Sequence, residues 1–356
     1  MSEVLIYGAG MSGMVAAYNL AKEGYEVTVR ERERSWGGSR VFNPSTHTTP
    51  LDLAATSEYI GIDISPAFVP AKAINLYVGG FKLPVPTPGG YHVERSDRPS
   101  SIDALLYAKC MEAGVKFEFG EELRKKDLDS LPPGTIIACG LNEEAYRYLE
   151  VPCSVWYAWQ SRGDTDRDGD AWIWMDECIT EYGYCSMLNG IYFNLLPDYE
   201  REVSRECLKR YEDFMQRQED FSCGEWEYVR GVVPTASPDN PALFRNDFIM
   251  CGTISGAFDP LLGFGISGAL VSGKVAALAV SDREAAQAEF ERFTRNFARV
   301  FAFKREVWRP VTAEVRALEK VLSALGPKRA FSLMMEGIKR GIGKTAIPGF
   351  SPLSCH

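Results

Sequence analysis

Histidine is scarce in this chain, with three residues in 356, and its nine cysteines include no Cys-x-x-Cys pair. Structural zinc draws its ligands mainly from these two residue types at short spacings, so no metal site is expected. Scattered cysteines also argue against a disulfide framework and for thiols kept reduced in a cytoplasmic setting. Long apolar runs are missing too. The best stretch, Ala269 to Val280, is interrupted by Lys274, which leaves too little for a membrane-spanning helix. Strand-like residues begin at once, so no cleavable leader is expected ahead of the fold. Positive charge is in deficit, and a net charge of −9 argues against binding to nucleic acid.

What is present begins at residue 4. An apolar run, Val4-Leu5-Ile6-Tyr7, opens into Gly8-Ala9-Gly10-Met11-Ser12-Gly13, an alanine-rich helical segment follows, and a second strand from Tyr25 to Arg30 ends on Glu31. This is the layout of a dinucleotide site. Gly8 serves the tight turn, Gly10 the approach of a pyrophosphate, and Gly13 close packing of helix on sheet. The anion rests on free N–H groups at the helix start, beside Met11 and Ser12, where the helix dipole is positive. Glu31 is placed to accept the hydroxyls of the adenosine ribose and to repel a 2′-phosphate.

The following residues, Glu31-Arg32-Glu33-Arg34-Ser35-Trp36-Gly37-Gly38-Ser39-Arg40, resemble the acid-then-double-glycine extension of flavoproteins, which nicotinamide dehydrogenases generally lack. FAD is therefore favoured over NAD, with Arg32, Gly37, Gly38, Ser39 and Arg40 as cofactor contacts. Near the other end, an apolar strand to Cys251 leads into Gly252-Thr253-Ile254-Ser255-Gly256-Ala257-Phe258-Asp259-Pro260-Leu261-Leu262-Gly263-Phe264-Gly265-Ile266. This resembles the second FAD motif of the geranylgeranyl reductase family and its relatives, the aromatic hydroxylases and flavin halogenases. The resemblance implies that Gly252, Thr253, Asp259, Gly263, Gly265 and Ile266 approach ribitol and flavin; Thr253 stands where the family usually has Asp.

Two intervening segments fit the same order. Val93 to Asp103 resembles the family's arginine-bearing strand, in which an arginine approaches the pyrophosphate; Arg95 and Arg98 both qualify. A helical pattern from Ala104 to Ala113 and a strand from Val115 to Phe119 follow. Gly134 to Gly140 reads as a return strand near the ADP, and Leu123, Ala138 and Gly140 complete the expected cofactor contacts.

Residues 61 to 92 and 151 to 244 fall outside these motifs and are expected to hold the substrate. Strand-like runs span Val155 to Gln160, Ala171 to Met175, Tyr182 to Met187 and Ile191 to Leu196, with Asn189-Gly190 a hairpin signal between the last two. A helix over 198–219 should pack on the outer side of this antiparallel sheet. Geranylgeranyl reductases carry a Tyr-x-Trp-x-Phe-Pro stretch here, and its best match is Tyr182-Gly183-Tyr184-Cys185-Ser186-Met187, which makes Tyr184 and Cys185 candidate catalytic residues. Trp172-Ile173-Trp174 reads as an aromatic strand with alternating faces. In the polar loop after Gly38, His47 is the candidate proton donor, since its pKa is near neutrality.

The expected fold is α/β: a discontinuous Rossmann-type FAD domain over 1–60, 93–150 and 245–282, an inserted antiparallel substrate domain, and a helical region from 283 to 356. The expected function is hydride transfer to or from a C=C bond of an apolar, isoprenoid or lipid-like substrate by an FAD-dependent oxidoreductase. An aromatic monooxygenase and a non-catalytic FAD-binding protein are the alternatives. No second Gly-x-Gly-x-x-Gly offers a tight nicotinamide site, so electrons would come from an external partner such as NADPH or ferredoxin. From residue 291 onward thirteen Lys or Arg stand against five Glu. Together with Phe331 to Met335, Lys339, Arg340 and Lys344, this basic region is a candidate for peripheral contact with the inner membrane face. Gly343-Lys344-Thr345 imitates the end of a P-loop, but Ile338 occupies the position of the required glycine.

Overall fold

The strand Glu3–Tyr7 lies inside a six-stranded sheet whose order is Phe244–Arg245, Phe248–Met250, Ile136–Ile137, Glu3–Tyr7, Glu26–Glu31 and Lys116–Phe119. All neighbours are parallel except the edge pair Phe244–Arg245 and Phe248–Met250. The computed structural model describes residues 2–336, apart from 72, 88, 200, 238, 239, 311–313, 331, 334 and 335.

Parallel strands need crossover helices, and small residues let those helices sit close. Helix Met11–Lys22 buries Met14, Val15, Ala16, Ala17 and Leu20 against the sheet and against helix Ile266–Ser281. The two helices nearly touch: a Cβ on Gly273 would stand 2.5 Å from the Ser12 carbonyl oxygen. Full burial of each large aliphatic side chain contributes about 1.5–3 kcal/mol, so this shared seam ties the first and last FAD-type motifs into one unit. The return strand is shorter than its apolar run, only Ile136–Ile137.

A second, seven-stranded sheet has the order Glu227–Pro234, Cys153–Asp164, Ile191–Tyr199, Gly183–Leu188, Ala171–Met175, Ala73–Val78 and Phe81–Pro86. It is antiparallel except where Ala171–Met175 runs parallel to Ala73–Val78. Asn189 and Gly190 turn its central hairpin at φ of 55° and 79°, the doubly positive geometry of a tight hairpin turn. Helix Arg205–Gln218 covers the outer face, burying Leu208, Tyr211, Phe214 and Met215 among Trp172, Trp174, Cys185 and Met187. Both tryptophans are therefore core residues of that layer.

The polar stretch after Gly38 is not all loop. Ser45–Pro50 is a strand, paired with Gly90–Arg95, which in turn pairs with Phe68–Pro70 in a small third sheet. A second difference concerns sulfur: Cys178 and Cys207 are joined by a disulfide, against the expectation that the thiols stay reduced. The bond ties the segment before Glu181 to the covering helix, a proximity created by the fold and invisible in the spacing of the cysteines.

Helices Arg283–Thr294, Phe297–Phe303 and Val315–Leu325 follow, with a π-helical turn at Lys304–Trp308. Val315 and Leu322 pack on Leu76, Leu83 and Met175 of the seven-stranded sheet. Most of the segment from Phe331 to Lys344, including the basic cluster and the P-loop look-alike, lies outside the described residues. Among the described residues no helix is long and apolar enough to cross a membrane.

Candidate functional site

One cavity of about 410 Å³ runs from the C-terminal ends of the parallel strands to the inner face of the seven-stranded sheet. Ligands of open α/β sheets collect at such strand ends. At its first end the chain turns off Tyr7 at Gly8, whose φ is +108° and whose Cβ, if present, would stand 2.3 Å from the Ala138 carbonyl oxygen. A Cβ on Gly10 would meet nothing within 4 Å beyond its chain neighbours, which leaves space above the start of helix Met11–Lys22. No side chain caps that helix start, so its N–H groups remain available to an anion. Gly13 does not line the cavity; it sits beneath, where a Cβ would come within 1.9 Å of the Gly8 carbonyl oxygen.

Glu31 is buried beside the turn and lines the cavity. Its carboxylate accepts N–H bonds from Ala9 at 2.7 Å and Glu33 at 2.9 Å, which fixes the acid at the edge of the glycine turn. Arg32, Gly38, Ser39, Leu123, Ala138 and Gly140 line the same end. Cys139 lines it too, with burial pushing its thiol up to about 12, so it stays protonated.

Spacing left Arg95 and Arg98 as equal candidates, and the structure separates them. Arg95 lines the cavity and donates two hydrogen bonds, of 2.8 and 2.9 Å, to the fully buried carboxylate of Asp103. Its guanidinium lies against Gly38, where a Cβ would come within 2.9 Å of Nη2. Arg98 points elsewhere: it pairs with Glu94 at 3.5 Å and donates to the Asn189 carbonyl at 2.8 Å, securing the hairpin tip.

Several other expected contacts also stand off the cavity. Arg40 is exposed and does not line it. Gly37 and Gly252 shape the wall from behind, the first against the Asp97 backbone and the second against Ser12. Asp259 is buried and turned inward, accepting from the N–H groups of Leu261 at 3.1 Å and Leu262 at 2.8 Å. Burial raises its pKa to about 6, and its task is to close the turn that presents Gly263, Gly265 and Ile266 to the cavity. Thr253 lines the cavity beside them.

The far end is apolar and aromatic, and strand alternation builds it. Along Ile191–Tyr199, residues Phe193, Leu195, Pro197 and Tyr199 face the cavity, while Tyr192 and Leu196 join the core under the covering helix. The same rule divides the candidate pair. Tyr184 lines the cavity, whereas Cys185 faces the opposite core beside Trp172 and Met187. Burial keeps the Cys185 thiol protonated far above its ordinary range, so its place in the catalytic set is withdrawn.

His47 reaches the cavity from strand Ser45–Pro50, 2.9 Å from the Ser45 hydroxyl. Burial, with Arg95 adding repulsion, lowers its pKa to about 3. The imidazole is therefore neutral near pH 7, and the proton-donor role that rested on an ordinary pKa loses its basis. Glu181, which sequence reasoning missed, also lines the far end and is held by Lys304 and Arg309, each at 2.7 Å. Both cations lie over the ring of Tyr199. No local pattern marks these three charged residues, because they meet only when the C-terminal helices fold over the sheet.

Comparison with known proteins fits this geometry. A family profile described as an NAD(P)-binding Rossmann-like domain matches residues 6–59. The flavin-containing monooxygenase FMO GS-OX2 of Arabidopsis thaliana is 40% identical over 57 residues, a stretch that covers 16% of this chain and only 12% of that relative's length. A crystal structure of a geranylgeranyl bacteriochlorophyll reductase-like protein from Thermoplasma acidophilum superposes with a TM-score of 0.70 at 17% identity, covering 97% of this chain and 98% of the other. A 2-methyl-3-hydroxypyridine-5-carboxylic acid oxygenase superposes with a TM-score of 0.63 at 12% identity, covering 88% and 96%. The chain thus shares, along nearly its whole length, the fold of a reductase-like protein and of an oxygenase.

Proposed function

We propose that this chain is an FAD-dependent oxidoreductase that moves hydride to or from a C=C bond of an apolar, isoprenoid-like or lipid-like substrate. The supporting observation is the single cavity that joins a dinucleotide end to an aromatic end without a wall between them. Glu31 would hold the adenosine ribose, the start of helix Met11–Lys22 together with Arg95 the pyrophosphate, and Thr253, Gly263, Gly265 and Ile266 the flavin side. The bare Gly10 approach, where a Cβ would meet nothing within 4 Å beyond its chain neighbours, and the uncapped helix start suit an anion there. When bound, FAD supplies reversible hydride exchange at its ring.

The rest is the work of the chain's own residues. Phe193, Leu195 and Tyr199 exclude water and favour an apolar chain or ring. Tyr184, whose phenol is pushed up to about 12 by burial, keeps its proton at neutral pH and has it ready at the cavity wall. Electrons come from an external donor such as NADPH or ferredoxin.

Glu31→Ala tests the cofactor assignment, with loss of FAD expected; full FAD occupancy in that variant would refute it. For the reaction, the holoprotein is reduced photochemically and its reoxidation followed with and without air. Slow reaction with oxygen supports the reductase reading. Rapid oxygen consumption would support an aromatic monooxygenase instead, and FAD that no donor reduces would mark a non-catalytic binder.

A further inference from the structure

Three side chains outside the dinucleotide end form a connected line. Tyr184 faces the cavity from strand Gly183–Leu188, and its hydroxyl oxygen accepts the Thr48 N–H at 2.6 Å. The same hydroxyl makes a longer contact of 3.5 Å to the Thr48 hydroxyl. Thr48 Oγ1 lies 2.9 Å from Nδ1 of His92, its directly opposed residue on the neighbouring strand. His92 is buried; its Nε2 makes no well-formed hydrogen bond, and the Gly169 backbone is the polar group that reaches the ring from the far side. Beyond it runs the 168–170 turn, with Asp168 exposed and both Asp168 and Asp170 close enough to act on the imidazole.

A buried imidazole nitrogen without a well-formed hydrogen bond is costly, and a purely structural histidine would be expected to satisfy both nitrogens. Its position at the inner end of a hydroxyl pair that opens on the cavity, and at the outer end toward an acidic surface turn, is that of a proton conduit. We infer that Tyr184 is the proton donor of the reaction and that Thr48 and His92 resupply it. This rests on the hydride-transfer reading proposed above.

In the reducing direction, with hydride supplied to one alkene carbon by the chemistry that bound FAD would bring, the π pair would move to the neighbouring carbon. That neighbour forms its new C–H bond with the Tyr184 proton as the O–H bond breaks. The phenolate left behind is stabilised by the Thr48 N–H at its oxygen. It takes the Thr48 hydroxyl proton, Thr48 takes the proton of His92 Nδ1, and Nε2 takes one from the solvent side. Tyr184 touches the substrate; Thr48 and His92 act through it and are positioning residues. The 3.5 Å leg must shorten during turnover, as catalytic hydrogen bonds commonly do on binding.

Only three histidines are present, so ¹⁵N-histidine NMR of the full-length oxidised holoprotein can follow His92 directly. His92 is expected in one tautomer, protonated at Nδ1. Thr48→Val, which keeps the N–H and removes the hydroxyl, should shift its nitrogen signals, and Thr48→Ser should restore them. Tyr184→Phe should shift them as well, which a simple Thr48–His92 bond would not produce. Unmoved His92 signals in Tyr184→Phe, or a tautomer protonated only at Nε2, would overturn the inference.

Turnover is read separately, by anaerobic reoxidation of the photoreduced holoprotein with citral as probe. Tyr184→Phe and Thr48→Val should slow that reaction by about 100-fold or more, the lower end of general-acid contributions, whereas Thr48→Ser should not. Unslowed reoxidation in Tyr184→Phe would also overturn the inference. Failure of the wild-type protein to reduce citral would count against the hydride-transfer reading for that class of alkene, while the NMR result would still decide the conduit.

Discussion

Gly13 and Gly8 touch across the first turn: a methyl group on Gly13 would stand 1.9 Å from the carbonyl oxygen of Gly8 and 3.2 Å from the Cβ of Ala138. The helix start, the glycine turn and the return strand therefore have one mutual arrangement, set by the absence of a single side chain. Gly13→Ala should destabilise the protein by about 1–3 kcal/mol or more through overpacking. It should also lower FAD affinity by displacing the turn; thermal unfolding and bound-flavin absorbance read the two effects.

Arg95 and Asp103 give a second test. Removing one partner of a buried pair costs roughly 3–5 kcal/mol because the other charge is stranded. Arg95→Ala should lose both stability and cofactor. The double variant Arg95→Leu with Asp103→Leu should regain stability but not cofactor, as read by denaturant unfolding and flavin titration. Arg98→Ala should keep its flavin, since that side chain serves the Asn189 hairpin.

Those two arginines mark how far the sequence was legible. The dinucleotide motifs were readable because glycine positions, strand ends and a distant acid are local features with fixed spacing. The choice between Arg95 and Arg98 depended on a buried Asp103 eight residues along, which no spacing rule identifies. Strand Ser45–Pro50 was missed because its residues are polar, although Thr46, Thr48 and Thr49 are β-branched and suit a strand. The Glu181, Lys304 and Arg309 cluster was illegible for a different reason: more than a hundred residues separate Glu181 from its two cations, and only the docking of the C-terminal helices unites them. Cys185 was misplaced for want of strand register, since a one-residue step moves a side chain to the other face.

The depressed pKa of His47 predicts a pH effect of definite sign. Folded His47 stays neutral down to about 3, whereas the unfolded chain takes up the proton below about 6.5. Acidification through that window therefore favours unfolding, by up to about 1.4 kcal/mol per pH unit. His47→Gln should flatten the loss of stability between about pH 6 and 4, measured by chemical denaturation at each pH. It should leave the single-turnover rate unchanged if Tyr184 holds the transferable proton.

The disulfide between Cys178 and Cys207 closes a segment with a sequence separation of 29. Chain-entropy arguments assign such a link roughly 3–4 kcal/mol of stability. Dithiothreitol should lower the melting temperature of the wild-type protein and leave that of Cys178→Ser unaffected, and a melting temperature indifferent to reductant in both would remove the bond from the stability of the fold.

The alternation along strand Gly183–Leu188 carries a consequence for how this chain can change over time. Gly183, Cys185 and Met187 look into the helix-covered core, where Gly183 rests against the ring of Tyr211, while Tyr184 looks into the cavity. Selection for folding and selection for chemistry therefore act on interleaved positions of one six-residue strand. In a saturation library scored once for abundance and once for turnover, the two profiles should fall out of phase along this strand. A lineage drifting toward a new ligand could rewrite Tyr184 while its neighbours at 183 and 185 stay fixed.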